Sequence, residues 1–474
     1  MIRALALMFA AVAAGVGCGD NFEAPALPPE QLFVKLRLLP GVTVEEAPTN
    51  QPGLHYYILH FTQPIDHQDP SLGSFQQQVA LLHRDDRAKA PMIIYTSGYD
   101  ESTGDDPVEL TRLLDANQVS IEHRFFGTSR PEPADWTKLT IEQMAADEHA
   151  IIEALHTIYA GAFITTGGSK GGMTAVFHRR FYPDDVDGTV AYVAPISFGA
   201  PDTVRYSGVL DAIGPAPCRE AVRAAATRML SARREAMYLH AEDQTQHRYT
   251  RIALGAAVES AIVNLEWTFW QYAGVDRCGD VPKADATDEQ LFAFLDQFSP
   301  VSDHDDDKIA EFEPYYYQSY NQLGFPDAGA TYLAPFLYYS EDEYAGELPT
   351  PEEPEYDSDS MRDIDFFVEN HSSRLLFIYG QWDPWTGGEF LIGKSKDSAV
   401  LYQQKGTHMA RIAFLDFGDQ EIALTKLEAW TGVQPQLSRL QGRAAASEVV
   451  ARTAGHPVRM PPVGRAVRAL KARK

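Results

Sequence analysis

The sequence Thr165-Thr166-Gly167-Gly168-Ser169-Lys170-Gly171-Gly172-Met173 predicts a sharp turn between a buried strand and a helix. Residues 162–166 are short, apolar and β-branched, as in a buried strand, and residues 173–180 contain no Gly or Pro and suit a helix. The centre matches G-x-S-x-G, a strained strand-to-helix turn that exposes a serine hydroxyl above a sheet. An ordinary Gly-Ser loop is the alternative interpretation. Because side chains at Gly167 and Gly171 would collide with the neighbouring strand or helix, we predict that Ser169 is a nucleophile.

Strand and helix patterns alternate on both sides of this turn. The strand patterns cover residues 54–61, 75–83, 91–96, 119–121, 186–193, 374–379 and 399–403, and the helix patterns cover 108–114, 140–159 and 412–430. This alternation predicts an α/β fold with a mostly parallel sheet covered on both faces. Residues 199–368 interrupt it with helix formers, acids and aromatic residues, and they are predicted to form a helical cap over the carboxyl ends of the strands.

A serine in such a turn needs a histidine base, and the histidine needs an acid that orients it. In α/β hydrolases these residues follow in the order Ser, Asp, His, each on a loop after a strand. Asp383 and His408 each follow one of the last two strand patterns, in that order. Other histidines fit less well, since His123 precedes the nucleophile and His371 precedes a strand. The predicted triad is therefore Ser169, Asp383 and His408.

The oxyanion hole needs two backbone N–H groups near the developing negative charge. One is expected from Lys170, directly after the nucleophile. The other is expected from Tyr99, in the loop after the strand pattern that ends at residue 96, although a plain tight turn explains the same residues. Glu122 and Arg124 end the next strand pattern, where we expect a buried ion pair that holds the loop.

Composition limits the classes of partner. The formal charge of −26 argues against nucleic acid or an anionic membrane surface, because phosphates repel such a body. The sequence contains no metal-ligand cluster, dinucleotide fingerprint or phosphate-binding loop that we recognise, so no metal or cofactor is expected. From residue 435 onwards nine Lys and Arg face one acid, Glu448. Residues 433–474 are therefore predicted to be a mostly disordered basic tail.

Residues 1–18 have the pattern of an export signal. Arg3 precedes a 13-residue apolar run that is too short to span a bilayer stably. The run ends at Gly15-Val16-Gly17-Cys18, which resembles a bacterial lipobox with Gly at the position where Leu is usual. Cleavage after Ala13, without a lipid, is the alternative.

The cysteine count favours the lipidated form. If Cys18 carries the lipid, Cys218 and Cys278 remain as an even pair that is free to form a disulfide in an oxidising compartment. We therefore expect an exported protein, either a cell-envelope lipoprotein or a secreted one. Residues 19–50 are Pro-rich and are predicted to be an irregular tether.

The motif at residues 167–175, followed by His178-Arg179-Arg180-Phe181-Tyr182-Pro183, resembles the secreted bacterial prolyl tri-/tetrapeptidyl aminopeptidases. Residues 121–127, Ile-Glu-His-Arg-Phe-Phe-Gly, are similar to that family and to the lysosomal Pro-Xaa carboxypeptidases and dipeptidyl peptidases. The resemblance implies an α/β-hydrolase core at 51–198 and 369–432, a helical cap at 199–368 and the same triad. It also implies release of short peptides, commonly after proline, from free N-termini.

Such an activity requires specific recognition of both ends of the released peptide. A free α-ammonium needs a carboxylate, which we expect from the cap with help from Asp100, Glu101 or Glu122. Proline at the cleaved position needs a flat apolar pocket. The aromatic residues expected to line it are Phe125, Phe126, Trp382 and Trp385.

Other functions use the same fold. An esterase or lipase would use the same triad on an ester. A Pro-specific dipeptidyl peptidase or carboxypeptidase-like enzyme would differ only in the position of the peptide bond that it cleaves. A surface lipoprotein that keeps the fold as a binding module is a further class, and the intact triad argues against it. The expected partners are peptides with free N-termini, with no nucleic acid and with membrane contact only through a lipid anchor.

Overall fold

The structure is a computed structural model that describes residues 27–440, apart from residues 86–88, 102, 328, 340–342, 344–345 and 351–352. The predicted export signal with Cys18 and the predicted tail from residue 441 onwards lie outside the described residues.

A nine-stranded sheet forms the centre of the molecule. Its strands are β1 (Val42–Ala47), β2 (His55–Pro64), β3 (Ser74–His83), β4 (Met92–Thr96), β5 (Asn117–Ile121), β6 (Phe163–Gly168), β7 (Gly188–Tyr192), β8 (Leu375–Gly380) and β9 (Ala399–Gln403). Their order is β1-β2-β3-β5-β4-β6-β7-β8-β9. The pairs from β1 to β5 are antiparallel and the pairs from β5 to β9 are parallel. This mostly parallel sheet confirms the predicted α/β-hydrolase fold class.

Helices cover both faces of the sheet. The helices of the described residues, of which α5 to α10 belong to the segment between β7 and β8, are α1 (Pro29–Arg37), α2 (Glu109–Leu114), α3 (Ile141–His156), α4 (Lys170–Phe181), α5 (Val209–Ala212), α6 (Ala216–Ala232), α7 (Arg234–Glu242), α8 (Leu254–Thr268), α9 (Asp288–Phe298), α10 (Asp306–Gln318), α11 (Ser360–Asn370) and α12 (Phe417–Thr431). Ile164 and Val190 pack beneath α2 and α12, whereas Phe163 and Ala191 face the helices on the other side. Because neighbouring strand residues point to opposite faces, these strands read as continuous apolar runs. No helix in the described part of the chain is long and apolar enough to cross a membrane.

The segment between β7 and β8 contains helices α5 to α10, which share one apolar core. Val222 of α6, Ile262 of α8 and Leu291 of α9 belong to that core. A disulfide joins Cys218 to Cys278, with a Cα–Cα distance of 5.6 Å. It fixes α6 to the turn Gly274–Asp280 that follows α8.

The predicted tether is wrong from residue 29 onwards. Pro29 opens α1, because a helix tolerates Pro in its first turn, and Leu32 and Leu36 bury one face of it. Val42 and Val44 then form part of β1, which pairs with β2 along its whole length. The Pro-rich composition concealed both elements, and the core begins before residue 51.

Two other predicted boundaries also move. Met361 and Ile364 of α11 pack against Val176 of α4, so this helix belongs to the core and not to the cap that was drawn to residue 368. The start of the predicted tail is ordered, since Gln436 donates a backbone hydrogen bond to the Leu113 carbonyl at 2.9 Å. Both corrections come from packing between distant parts of the chain.

Candidate active site

Ser169 lies at a strained turn between β6 and α4. Its backbone angles are φ 57° and ψ −123°, a region that residues with a side chain rarely adopt. A Cβ placed on Gly167 would lie 2.4 Å from the Gly171 carbonyl carbon, and one on Gly171 would lie 2.1 Å from the Thr96 carbonyl oxygen. Only glycine fits at either position, and the crowding holds the serine at the carboxyl end of the sheet.

Asp383 and His408 come together on the loops after β8 and β9. The Asp383 Oδ2 atom lies 2.6 Å from His408 Nδ1, and both side chains are buried. Asp383 Oδ1 accepts the Trp385 backbone N–H at 3.0 Å, which fixes the carboxylate. A carboxylate on Nδ1 places the proton of a neutral imidazole there and leaves Nε2 as the acceptor.

Two buried polar atoms of this group lack a hydrogen-bond partner among the described residues. They are Ser169 Oγ and His408 Nε2. Buried polar atoms are normally satisfied, so an unsatisfied hydroxyl and an unsatisfied ring nitrogen indicate atoms kept for a reactant. This is the pairing that a serine nucleophile and its base require.

The inserted segment holds the histidine. The His408 N–H donates to the Gln271 carbonyl at 2.8 Å, and Gln271 lies in the π-helical turn Phe269–Ala273 that extends α8. The rings of Tyr272 and Trp385 lie 6.1 Å and 6.2 Å from the imidazole. The cap therefore contributes to the position of the predicted base.

The two predicted oxyanion donors differ in whether their N–H groups already have an acceptor. Lys170 is the first residue of α4, and its N–H has no acceptor in the described part of the chain, as expected at a helix start. The Tyr99 N–H, in contrast, donates to Ser97 Oγ at 3.0 Å. The Tyr99 N–H could donate to an oxyanion only if it shared or gave up its hydrogen bond to Ser97 Oγ.

Three ionisable side chains are buried behind the nucleophile. Burial lowers the pKa of the Lys170 ammonium well below its usual value, while Glu148 opposes the shift. Burial and the charge of Asp147 raise the pKa of Glu148 well above its usual value. Burial, followed by the charge of Lys170, lowers the pKa of His123 well below its usual value. His123 is therefore a neutral neighbour of the site.

The expected ion pair between Glu122 and Arg124 is wrong. Arg124 instead pairs with Asp147 on α3, at 2.6 Å and 2.8 Å. Glu122 accepts backbone N–H groups from Glu101 at 3.0 Å and from Ser129 at 2.9 Å. With both oxygens occupied by loop residues, Glu122 holds two loops together and is not placed as a substrate ligand.

The four predicted aromatic residues divide into two groups. Phe126 and Trp385 belong to the large cap core beside the triad, and Trp382 packs against its edge. Phe125 lies in a separate small cluster, where its ring is 5.1 Å from Trp136. A positive φ of 72° at Phe125 turns its side chain away from Phe126, so Phe125 does not contribute to a common pocket.

Three carboxylates of the cap with little or no solvent exposure are paired with arginine. The pairs are Glu259 with Arg234 at 2.8 Å, Glu266 with Arg223 at 2.7 Å, and Glu313 with both Arg130 and Arg251 at 3.0 Å. Glu347 is also buried, and its charge acts on Tyr315, whose ring lies 6.0 Å from that of Tyr99. Glu347 is therefore within electrostatic range of Tyr315, which itself packs on Tyr99.

Residues 28–457 match the family described as PS-10 peptidase S37. The chain belongs to this family. It is therefore a serine peptidase, and the predicted resemblance is confirmed. It is 36% identical over 458 residues to a prolyl tri/tetrapeptidyl aminopeptidase of Streptomyces mobaraensis, covering 94% of this chain and 95% of the relative.

More distant relatives match part of the peptidase. Human lysosomal Pro-X carboxypeptidase is 31% identical over 185 residues, which is 34% of this chain and 36% of the relative. Among solved structures, the proline iminopeptidase of Mycobacterium smegmatis superposes with a TM-score of 0.35 at 14% identity, covering 78% of this chain and 98% of that one.

One group of possible metal ligands lies away from the predicted triad, between α3 and α4. Within the described residues, His149, Glu153 and Asp185 could approach one ion. The Asp185 Oδ2 atom is already hydrogen-bonded to His149 at 2.8 Å and to His178 at 3.0 Å. These bonds give the group a structural role between α3 and α4, and nothing in the geometry assigns a metal.

Several residues of this site were missed by sequence reasoning. Gln271 and Glu347 lie more than 30 residues from the catalytic residues Ser169, Asp383 and His408 predicted here, and Glu148 reads as an ordinary helix acid. The sequence motif assigned a role to the backbone N–H of Lys170 and none to its side chain. Its place directly after the nucleophile, in a turn crowded by Gly167 and Gly171, was the available signal that this side chain lies against the turn.

Proposed function

We propose that this peptidase releases short peptides, ending in proline, from free N-termini through an acyl-enzyme on Ser169. The observation that carries the proposal is the 2.6 Å contact between Asp383 and His408 at the edge of the sheet where Ser169 follows β6 in a G-x-S-x-G turn. The aminopeptidase from Streptomyces, similar over nearly the whole chain, supports this choice of substrate.

The chemistry needs only residues already described. Ser169 Oγ attacks the scissile carbonyl carbon while its proton passes to His408 Nε2. The tetrahedral oxyanion accepts the Lys170 N–H, and collapse breaks the C–N bond as His408 returns the proton to the leaving amine. Water, deprotonated by the same histidine, then cleaves the ester and frees the short peptide. Asp383 stays ionised throughout and stabilises the imidazolium.

We assign recognition of the substrate ammonium to Glu347. An exopeptidase discriminates against blocked termini when a desolvated carboxylate faces the α-ammonium. Glu347 is a buried cap carboxylate close to Tyr315, which packs towards Tyr99 beside the nucleophile. Asp100, half-buried in the same loop as Tyr99, adds negative charge on that side.

We assign the proline pocket to Phe126 and Trp385. Both are buried next to the site, and Trp385 lies within 6.2 Å of the imidazole of His408. Flat apolar walls suit a pyrrolidine ring, which has no N–H to satisfy once it is acylated. Trp382, half-buried at the edge of the same core, extends this surface.

The test compares Ala-Ala-Pro on a chromogenic leaving group with the same compound acetylated at its N-terminus. We expect the free peptide to be cut at least about ten-fold faster, if the ion pair contributes about 1.4 kcal/mol or more to transition-state binding. Equal rates would indicate an endopeptidase or a general esterase. Mass spectrometry of products from a proline-containing peptide library then gives the length of the released peptide.

We also propose that the chain is exported and that Cys18 carries a lipid. The apolar run at residues 4–16 and the lipobox-like end support this, as does a disulfide between the two remaining cysteines. Metabolic labelling with a fatty acid is expected to mark the wild type and to miss Cys18→Ala. Recovery of unlabelled wild-type protein without detergent would favour cleavage after Ala13 and secretion.

A further inference from the structure

The Lys170 side chain is almost completely buried, which is rare for a lysine in a folded protein. It is 2% exposed, and its ammonium donates a hydrogen bond to the Gly98 carbonyl. The same nitrogen lies 5.2 Å from the ring centroid of Tyr99 and 5.0 Å from that of Phe126. Burying an ammonium is costly unless its surroundings compensate, so this position needs a reason.

The Gly98 carbonyl belongs to the peptide unit that also carries the Tyr99 N–H. A peptide unit is planar and trans, so a bond to its oxygen fixes the direction of its N–H on the opposite side. This unit lies directly against the start of α4, because a Cβ on Gly98 would be 2.6 Å from the Gly171 nitrogen. The loop and the helix start are therefore in contact at the place where an oxyanion forms.

We infer that the Lys170 side chain is a positioning residue for the oxyanion hole. One residue then acts on both halves of the hole, because its backbone N–H is one donor and its ammonium orients the peptide that carries the other. That second donor, the Tyr99 N–H, is held on Ser97 Oγ at 3.0 Å and is shared with the oxyanion when the oxyanion forms. Glu148, which is 2% exposed on α3, lies close enough to act electrostatically on the Lys170 side chain. This inference rests on the serine chemistry proposed for Ser169 and is independent of which peptide is cleaved.

The first test is Lys170→Met, which keeps the unbranched shape of the side chain, shortens it by one atom, and removes the donor and the charge. We expect kcat to fall by roughly 10²-fold, the loss typical of one oxyanion donor, with KM within about threefold of the wild type. Affinity for the aldehyde Ala-Ala-prolinal, whose adduct carries an oxyanion, should fall by a similar factor. Affinity for the product Ala-Ala-Pro should stay within about threefold.

The matched control is Thr174→Val, one turn further along α4. It removes a buried hydrogen bond of 2.9 Å to the Lys170 carbonyl and leaves the ammonium in place. A merely structural role for Lys170 predicts that both variants lose aldehyde and product affinity alike, and that result would overturn the inference. A Lys170→Met enzyme with kcat within about threefold of the wild type would also overturn it.

A wild-type measurement covers the case in which Lys170→Met does not fold. In a crystal structure with the aldehyde bound, the hemiacetal oxygen should accept hydrogen bonds from the N–H groups of Lys170 and Tyr99, with the Lys170 ammonium still on Gly98. An oxygen bound without Tyr99 would rule the inference out. Labelling of wild-type Ser169 by a fluorophosphonate separates the two proposals, since unlabelled protein contradicts the serine mechanism itself.

Discussion

The backbone N–H of His408 and the carbonyl of Gln271 are joined by a 2.8 Å hydrogen bond between the hydrolase core and the inserted segment. The base of the predicted triad is thus oriented by Asp383 through its ring and by the cap through its backbone. Any change that displaces the turn Phe269–Ala273 should reach the base without touching the triad.

Removal of the disulfide tests this connection. Cys278 lies five residues beyond the π-helical turn, and the bridge to Cys218 closes a loop with a sequence separation of 60. We expect Cys218→Ser with Cys278→Ser to lower the free energy of unfolding by at most about 4 kcal/mol. We also expect kcat to fall by several-fold at temperatures where the variant is still folded, because the Gln271 carbonyl becomes less well fixed.

Chemical denaturation and steady-state kinetics give the two quantities. The control is wild-type protein whose Cys218–Cys278 disulfide has been reduced, because it lacks the bridge without carrying the two serine substitutions. A variant that loses stability but keeps the full kcat would show that the cap does not position His408. Two free thiols in unreduced wild-type protein, in addition to any at Cys18, would contradict the disulfide.

The triad residues should act as a unit. We expect Ser169→Ala and His408→Ala each to lower kcat by roughly 10⁴-fold or more, and the double variant to be no worse than the single ones. Asp383→Asn should also be severely impaired, because the amide can favour the wrong tautomer of the imidazole. Kinetics on Ala-Ala-Pro substrates measure these losses, with the exposed Ser71→Ala as a matched serine control. Near wild-type turnover by Ser169→Ala would refute the assignment.

Glu347→Gln should weaken selection for a free N-terminus. The substitution keeps the shape of the side chain and removes its charge, so the KM for unblocked Ala-Ala-Pro substrates should rise by roughly tenfold. The rate with the acetylated substrate should not change, since that substrate has no ammonium. Glu355→Gln, at an exposed cap acid, makes the same change in net charge and should have no effect. Loss of both activities in Glu347→Gln would indicate damage to the cap instead.

Acid sensitivity should depend on Asp66. Hydrogen bonds from Lys138 and from the Gln68 N–H lower the pKa of Asp66 to about 2 against burial, which acts the other way. A lowered pKa in the folded state stabilises the protein above the unfolded value of 3.8, and this contribution disappears as the pH falls towards 2. Asp66→Asn should cost about 1 to 2 kcal/mol at pH 7 and little near pH 2. Urea unfolding at several pH values measures this, and an equal loss at both pH values would contradict it.

Local sequence patterns predicted much of the core. The buried parallel strands were found to within about three residues because they are short apolar runs bounded by turn residues. The turn at Ser169 was predictable because its glycines leave no alternative sterically. Asp383 and His408 were predictable from strand order alone, since the carboxyl ends of parallel strands meet at one edge.

Other features depend on partners far away in the chain. Residues 218–254 contain no Gly or Pro, yet α6 ends and α7 begins on either side of Arg233. Residues Thr140 to Gln143 have the sequence of a capping box, but only half of it forms, because the Gln143 side chain bonds to Asp66 at 2.7 Å and not to the Thr140 N–H. In each case a tertiary contact outweighed the local preference.

The position of the inserted segment also sets the order in which the active site is made. Ser169 leaves the ribosome with β6, whereas His408 follows β9 and comes roughly 240 residues later, or about 12 to 48 s at 5–20 residues per second. Throughout that interval the nascent chain carries a nucleophile without its base. The nascent chain therefore cannot hydrolyse other newly synthesised proteins near the ribosome until almost the whole polypeptide has been translated.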